Sequence, residues 1–317
     1  MSRPVPELSV VIPIYNEEQV LPALFARLYP ALDALARSYE VVFVNDGSRD
    51  RSAALLKDAF ERRADVTRVV LFAANFGQHR AILAGFAQSR GRYVITLDAD
   101  LQNPPEEISR VLAELQAGYD YVGTIRIQRK DVAWRRYASR LINAIRERTT
   151  RVRITDQGSM FRGYARSVVD AVNQCSEYNT FVPALAFTFA TAPTEIRVGH
   201  ENRGAGVSKY SLFQLMRLNF DLMTGFSTAP MQWFSGFGIG IAILSVLFVI
   251  FLVIRRLVIG PEAEGVFTLF AIAFFLIGVA LFGVGLIGEY VSRIYDEVRH
   301  RPRYIVGQVL EHREDEP

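Results

Sequence analysis

Cysteine is nearly absent: a single residue, Cys175, stands in 317. An internal disulfide is excluded, and a reducing compartment is expected. Histidine is scarce too, with four scattered residues, and together with one thiol they make none of the spacings that hold zinc. A charged-then-apolar leader is also missing, because the short run "LSVVIPIY" meets Asn16, Glu17 and Glu18 at once; the front of the chain is expected to stay in the cytoplasm. No G-x-G-x-x-G follows that run, where "YNEE" stands instead, and there is no Walker A sequence. Both absences argue against a dinucleotide or P-loop site. Internal repeats and low-complexity segments are lacking as well.

Charge is missing from two long stretches. Half of all residues are hydrophobic, and the excess gathers after Met231 in "MQWFSGFGIGIAILSVLFVIFLVI" and "VFTLFAIAFFLIGVALFGVGLIGEYV", the latter uncharged before Glu289. Each exceeds the roughly 20 residues that span a hydrocarbon core, and neither keeps the polar stripe of a helix packed on a soluble core. They predict transmembrane helices at about 231–254 and 266–288. The glycines of "GFGIG", Gly236 to Gly240, predict close helix packing there. Basic flanks set the orientation. The tail "SRIYDEVRHRPRY" carries Arg293, Arg299, Arg301 and Arg303, whereas the intervening loop offsets Arg255 and Arg256 with Glu262 and Glu264. Both chain ends are therefore expected on the cytoplasmic side.

From Leu8 to Thr124, β-branched runs ("LSVVIPI", "YEVVFVN", "TRVVLF", "YVITLD", "YDYVGT") alternate with amphipathic stretches near Glu18–Ala36, Asp50–Ala64, Gln78–Ser89 and Pro105–Gly118. That alternation predicts an α/β fold, a mostly parallel sheet with helices on both faces. Asp50 or Ser48 is placed to cap the second helix, and Pro105 with Glu106 and Glu107 to open the fourth. Ligands of such sheets bind beyond the carboxyl ends of the strands. That rim receives Tyr15 and Glu17 from the first strand, Asp46 from the second, and Asp98, Asp100 and Gln102 from the fourth.

Two carboxylates one residue apart at the end of an apolar strand are costly to desolvate unless a cation is bound. Oxygen donors next to a substrate phosphate suit Mg²⁺ or Mn²⁺. In an extended chain Asp98, Asp100 and Gln102 would alternate onto one side.

The motifs "VVIPIYNEE", "VFVNDGS", "NFGQHRAILAGF", "LDADLQNPPEEI", "VGTIR", "DQGSMFRGY" and "GVSKYS" occur in an order that resembles the inverting GT-A glycosyltransferases that load a sugar onto a polyprenyl phosphate, the group of dolichol-phosphate mannose synthase and bactoprenol glucosyltransferase. The resemblance covers essentially the whole chain. The GQH, DADLQNPPEEI and RPRY stretches point within it to the branch that transfers 4-deoxy-4-formamido-L-arabinose, with glucose, glucosamine and mannose as alternative donor sugars. It implies a UDP-sugar donor, an undecaprenyl phosphate acceptor, an Mg²⁺ or Mn²⁺ ion, the bacterial inner membrane, a role in lipopolysaccharide or lipid A modification, and a homo-oligomer as a plausible state. It also implies a nucleotide pocket of Pro13, Tyr15, Glu17 and Asp46, with Asp46 accepting from the uracil imide and Ala99 and Arg126 beside the cofactor. Asp100 and Gln102 would hold the metal, with Asp98 at the ribose or the metal. Asp156 would serve the acceptor side. Arg203 and Lys209, around a Gly204–Gly206 hinge, would neutralise the departing diphosphate. Asn45 departs from the pattern, since many relatives carry a further aspartate there.

From Arg126 to Arg153 ten basic residues face two acidic ones, Asp131 and Glu147. Beside two membrane spans this balance favours anionic lipid or phosphate over nucleic acid, and Trp134 and Tyr137 suit the lipid interface. A processive polysaccharide synthase would carry a Gln-x-x-Arg-Trp motif, which is absent. A sugar nucleotidyltransferase would need a glycine-rich loop in place of "YNEE", and a non-catalytic scaffold would have no need of both strand-end carboxylates. The expected organisation is a cytoplasmic catalytic domain over 1–210, an amphipathic interfacial helix over 211–230, two spans within 231–290 and a basic cytoplasmic tail over 291–317.

Overall fold

The computed structural model describes residues 5–126, 154–175, 181–199, 201, 224, 227–259, 266–299 and 301–312. The chain divides into two compact units: Met1–Arg136, Val152–Lys209 and Arg301–Pro317 form one, and Tyr137–Arg151 with Tyr210–His300 the other.

The first unit alternates as the β-branched runs predict. Strand β1 (Leu8–Ile14) leads to α1 (Leu21–Asp33), β2 (Tyr39–Asn45) to α2 (Ser52–Arg62), β3 (Thr67–Phe72) to α3 (Gln78–Gln88), and β4 (Tyr93–Thr96) to a short 3₁₀ turn at Pro105–Glu107 and α4 (Ile108–Gln116). Then follow β5 (Tyr121–Arg126), β6 (Arg162–Ala165), α5 (Arg166–Gln174), α6 (Val182–Phe189), β7 (Pro193–Val198) and, from the far end of the chain, β8 (Val306–Leu310). They form one sheet in the order β7-β5-β6-β4-β1-β2-β3-β8. Strand β1 runs parallel to β2 and β4, β2 to β3, and β5 to β7. Strands β6 and β8 run antiparallel to their neighbours.

The period-2 alternation of β1 explains the two layers of helices. Leu8, Val10, Ile12 and Ile14 join one buried cluster with Leu21, Leu24 and Leu28 of α1 and with Val111, Leu112 and Leu115 of α4. Val11 points the other way, under α3, at such close range that a Cβ on Gly85 would lie 2.2 Å from Val11 Cγ1. Only a residue without a side chain lets α3 settle on the sheet there.

The loops after β1 and β2 are laced together at the carboxyl rim. Asn16 N–H donates to Ser48 Oγ (3.0 Å), Glu17 N–H to Ser52 Oγ (2.9 Å) and Glu18 N–H to Asp50 Oδ2 (3.1 Å). The expected capping is corrected: the N-cap of α2 is Arg51, with no side-chain cap bond, while Asp50 Oδ1 takes Ser52 N–H (3.0 Å) and the side chains of Asp50 and Ser48 clamp the first loop.

The basic tail supplies an element that its sequence hides. After the last long helix the chain returns as β8, pairing four positions with β3. Tyr304 stacks on Phe72 with centroids 5.0 Å apart, and Glu311 pairs with Arg68 (3.4 Å) and Arg90 (3.2 Å). Arg303 donates to the Cys175 carbonyl.

The second unit contains α7 (Ala229–Ile259) and α8 (Val266–Val298), both long and apolar enough to cross a membrane. Their apolar side chains are largely uncovered within the chain. Close packing falls elsewhere than expected: a Cβ at Gly236, Gly238 or Gly240 would meet nothing within 4 Å, whereas one at Gly283 of α8 would lie 2.3 Å from the Phe234 ring of α7. The small residue that admits a neighbour is on the second helix.

Deleting residues 305–317 would open the β3 edge. With four paired positions lost at about 1 kcal/mol of net hydrogen bonding each, the truncated chain should lose roughly 4 kcal/mol, melt about 8–16 °C lower and scatter light on heating. Coincident melts would show that β8 is not a stabilising part of the sheet.

Candidate active site

Strand β4 ends against β1, with Leu97 N–H donating to the Val11 carbonyl (3.0 Å), and the next side chain, Asp98, enters a half-buried position at the rim. Gln78 Nε2, from the start of α3, donates to Asp98 Oδ1 (2.7 Å), and Met160 N–H donates to the same carboxylate. Burial, and then the charge of Asp100, push the Asp98 carboxyl up to about 7 despite those donors and the nearby Arg126. Beyond Asp98 the chain is not extended, so the predicted alternation of Asp98, Asp100 and Gln102 is corrected. Leu101 takes φ +57°, and the resulting turn lets Asp100 Oδ1 accept Gln102 N–H (3.1 Å). A positive φ is costly for a branched side chain, and it holds these oxygens in one short loop.

These oxygens could hold a divalent cation. Among the described residues no three His, Cys, Asp or Glu side chains gather into a ready-made cage. One half-buried like-charged pair with an adjacent amide oxygen fits a hard ion that draws its other ligands from water and substrate phosphate. The Gln102 carbonyl also accepts Glu201 N–H (2.9 Å), and Arg27 bonds both Glu106 and Glu201.

On the other side of Asp98, β5 ends in Arg126. Its Nε donates to Asp156 Oδ2 (2.7 Å) and its Nη2 to Asp156 Oδ1 (2.8 Å), a two-pronged ion pair of the strong, geometrically specific kind. Asp156 is 7% exposed, and its Oδ1 also accepts Gly158 N–H (3.1 Å). Below the turn, the fully buried Arg162 of β6 reaches the carbonyls of Asp156 and Ser159 and the Tyr121 hydroxyl.

The nucleotide-side residues fall at the ends of β1 and β2. Pro13 and Glu17 are half-buried and Tyr15 is exposed. Asp46 is only 2% exposed, and its carboxylate is turned inward: Oδ1 accepts Phe76 N–H (2.6 Å), while Oδ2 accepts Gly77 N–H (2.8 Å) and Asn75 Nδ2 (3.1 Å). Burial raises its pKa, opposed by those amides and Arg80. Its observed work is to shape the loop before α3. That loop passes so close to Gly47, at φ +64°, that a Cβ there would lie 2.3 Å from the Ala74 carbonyl carbon. Asn45, 3% exposed, has no hydrogen-bond partner for Oδ1 among the described residues. Ala99 is buried with the core.

With this geometry in view, comparison with known proteins is decisive. Residues 9–172 match glycosyl transferase family 2. The chain belongs to this family. Relatives include undecaprenyl-phosphate 4-deoxy-4-formamido-L-arabinose transferases of Pseudomonas aeruginosa (strain LESB58), 50% identical over 97% of this chain and 91% of the relative, and of Edwardsiella ictaluri (strain 93-146), 49% identical over 96% and 94%. Among solved structures, glucosyl-3-phosphoglycerate synthase from Mycobacterium tuberculosis in complex with phosphoglyceric acid aligns with a TM-score of 0.49 at 16% identity, covering 69% of this chain and 78% of that one. The chain is a glycosyltransferase.

Of the residues expected in the family's site, Asp98, Asp100, Arg126 and Asp156 lie in one electrostatic neighbourhood. Arg203, Lys209, the Gly204–Gly206 hinge, Trp134, Tyr137 and the basic run beyond Arg126 lie outside the described residues, as does most of the predicted interfacial helix. Gln78 and Arg162 were missed as site residues. The first stood within the GQH stretch and the second within "DQGSMFRGY", each without a role. His79, the last residue of GQH, packs edge-on to Phe181 with centroids 5.0 Å apart, and its Nδ1 is shut from solvent with no partner among the described residues. Burial lowers its pKa to about 4.

Two outcomes follow. Arg126→Met would strand a buried carboxylate and should cost about 3 kcal/mol in urea unfolding; R126M/D156N should lose about 2 kcal/mol less than the sum of the single variants, and strict additivity would deny the pair. For His79, the unfolded ring gains its proton near 6.5 and the folded ring only near 4. The neutral ring's stability is thus complete above about pH 6.5 and erodes toward pH 4, by up to about 3 kcal/mol. His79→Leu should flatten that part of the stability profile, and an unchanged slope between pH 6.5 and 4.5 would count against it.

Proposed function

We propose that this chain moves 4-deoxy-4-formamido-L-arabinose from UDP to undecaprenyl phosphate, at the cytoplasmic side of a bacterial inner membrane, for lipid A modification. The reading is carried by one observation: transferases of that name share about half of this sequence across nearly its full length. It is supported by a rim where a carboxylate pair stands beside an arginine-carboxylate pair, one suited to a nucleotide diphosphate and the other to an acceptor phosphate. Helices α7 and α8 supply the two membrane spans, and the arginines after α8 hold the chain's end on the cytoplasmic side.

An Mg²⁺ or Mn²⁺ ion held by Asp100, Gln102 and Asp98 would, when bound, offset the charge of the donor diphosphate. The loops at Pro13, Tyr15 and Glu17 line the nucleotide pocket, with Asp46 fixing its wall. The acceptor phosphate has a second pKa near 6 and is mostly a dianion at neutral pH, so it needs orientation more than deprotonation. Its oxygen forms the new bond to the anomeric carbon as the bond to UDP breaks on the opposite face, inverting the configuration. The Asp156 carboxylate is committed to Arg126 by both of its oxygens, so Asp156 acts by aiming Arg126 at the acceptor. Arg203 and Lys209 add positive charge where the leaving diphosphate gathers negative charge.

The test is to incubate purified full-length protein with undecaprenyl phosphate and a panel of UDP-sugars, with Mg²⁺, Mn²⁺ or chelator, and to identify the lipid product by mass spectrometry. Metal-dependent transfer from UDP-4-deoxy-4-formamido-L-arabinose is expected. Asp100→Ala should lower turnover by about 10³-fold or more, and Asp156→Asn at pH 8 by clearly less. Equal losses would make Asp156 a base, and release of UDP from no donor would end the enzyme assignment.

A further inference from the structure

Arg162 is 0% exposed. Its Nε donates to the Ser159 carbonyl (2.9 Å), its Nη1 to the Tyr121 hydroxyl (2.6 Å) and its Nη2 to the Asp156 carbonyl (2.5 Å). These are two peptide oxygens and a phenol, with no carboxylate among them. A desolvated cation without an anionic hydrogen-bond partner is expensive, and an apolar side chain of similar length would fill the place more cheaply. The sheet retains a guanidinium because a flat fork bonds several oxygens in fixed directions.

Those oxygens mark both ends of one turn. Between and just after them, Ser159 Oγ meets Thr124 Oγ1 (2.8 Å), the same threonine hydroxyl reaches the Phe161 carbonyl (2.7 Å), and Thr96 Oγ1 bonds the Met160 carbonyl. Two groups of this segment face the site. Met160 N–H donates to Asp98, and the Asp156 carboxylate holds Arg126.

We propose that Arg162 is a positioning residue: by pinning the carbonyls of Asp156 and Ser159 it sets the turn that joins the donor-side carboxylate Asp98 to the acceptor-side pair Asp156 and Arg126. The inference rests on the glycosyl-transfer reading above. It requires that the fork, not the charge, be what matters, because an ammonium cannot span both carbonyls and the phenol.

Full-length Arg162→Lys and Tyr121→Phe proteins should both melt below wild type, since each breaks a buried bond. Assayed well below their melting points, they should part. R162K should bind UDP with Mn²⁺ about 5–10-fold more weakly by calorimetry and turn over about 10–100-fold more slowly, while Y121F stays within about twofold of wild type in both. Thr124→Val, which loosens the same turn without touching the buried charge, should shift both quantities in the direction of R162K and decides the matter if R162K does not fold. An R162K protein that matches Y121F in UDP affinity and turnover, or an unaltered T124V where R162K fails to fold, overturns the proposal while leaving the functional reading intact. A wild-type protein that binds no UDP with Mn²⁺ and forms no lipid product overturns the functional reading and this inference with it.

Discussion

The withdrawal of the Asp98 carboxylate from water, with a second carboxylate beside it at Asp100, is the constraint around which the rest of the site is built. Burial first, and then the charge of Asp100, push the Asp98 carboxyl up to about 7. The surrounding groups are arranged as donors and cations for that reason. Gln78 and Met160 N–H bond Asp98, Arg126 stands within electrostatic reach of both aspartates, and Asp156 binds Arg126 in turn. Charge alternates outward from the strand end, and each member is held by an element whose position the sheet already sets.

Much of this fold can be read from residues because its central strands are β-branched runs buried on both faces, and such runs announce themselves. Strands β1 to β5 and helices α1 to α4 all fall where composition puts them. The strands that escaped are different in kind. Strand β6 is four residues containing Arg and Gly, β7 is half-exposed "PTEIRV", and β8 is five residues of a tail whose charges suggest solvent. They are strands because neighbours need partners, and that need arises from the tertiary fold. The antiparallel insertion of β6 between β4 and β5 follows from the same cause and breaks the parallel order that alternation implies.

The site divides along a similar line. Carboxylates crowded at a strand end are visible as residue types out of place, so Asp98, Asp100 and Asp46 stand out in one dimension. Their orientation does not. Leu101 carries no mark of a left-handed backbone, and nothing near Asp46 says that its carboxylate accepts from the loop at Phe76 and Gly77. Arg162 and Gln78 were invisible as site residues because their partners are distant in sequence: Tyr121 lies 41 residues from Arg162, and Asp98 lies 20 from Gln78.

Strand β8 carries a consequence for biosynthesis. It is the last strand to leave the ribosome, yet it closes an edge whose other member, β3, emerged more than two hundred residues earlier, before both long apolar helices. Through that interval the nascent sheet presents a bare flank. The first unit can therefore reach its finished form only after both long apolar helices have been made, so the order of translation itself places their synthesis ahead of the sheet's completion.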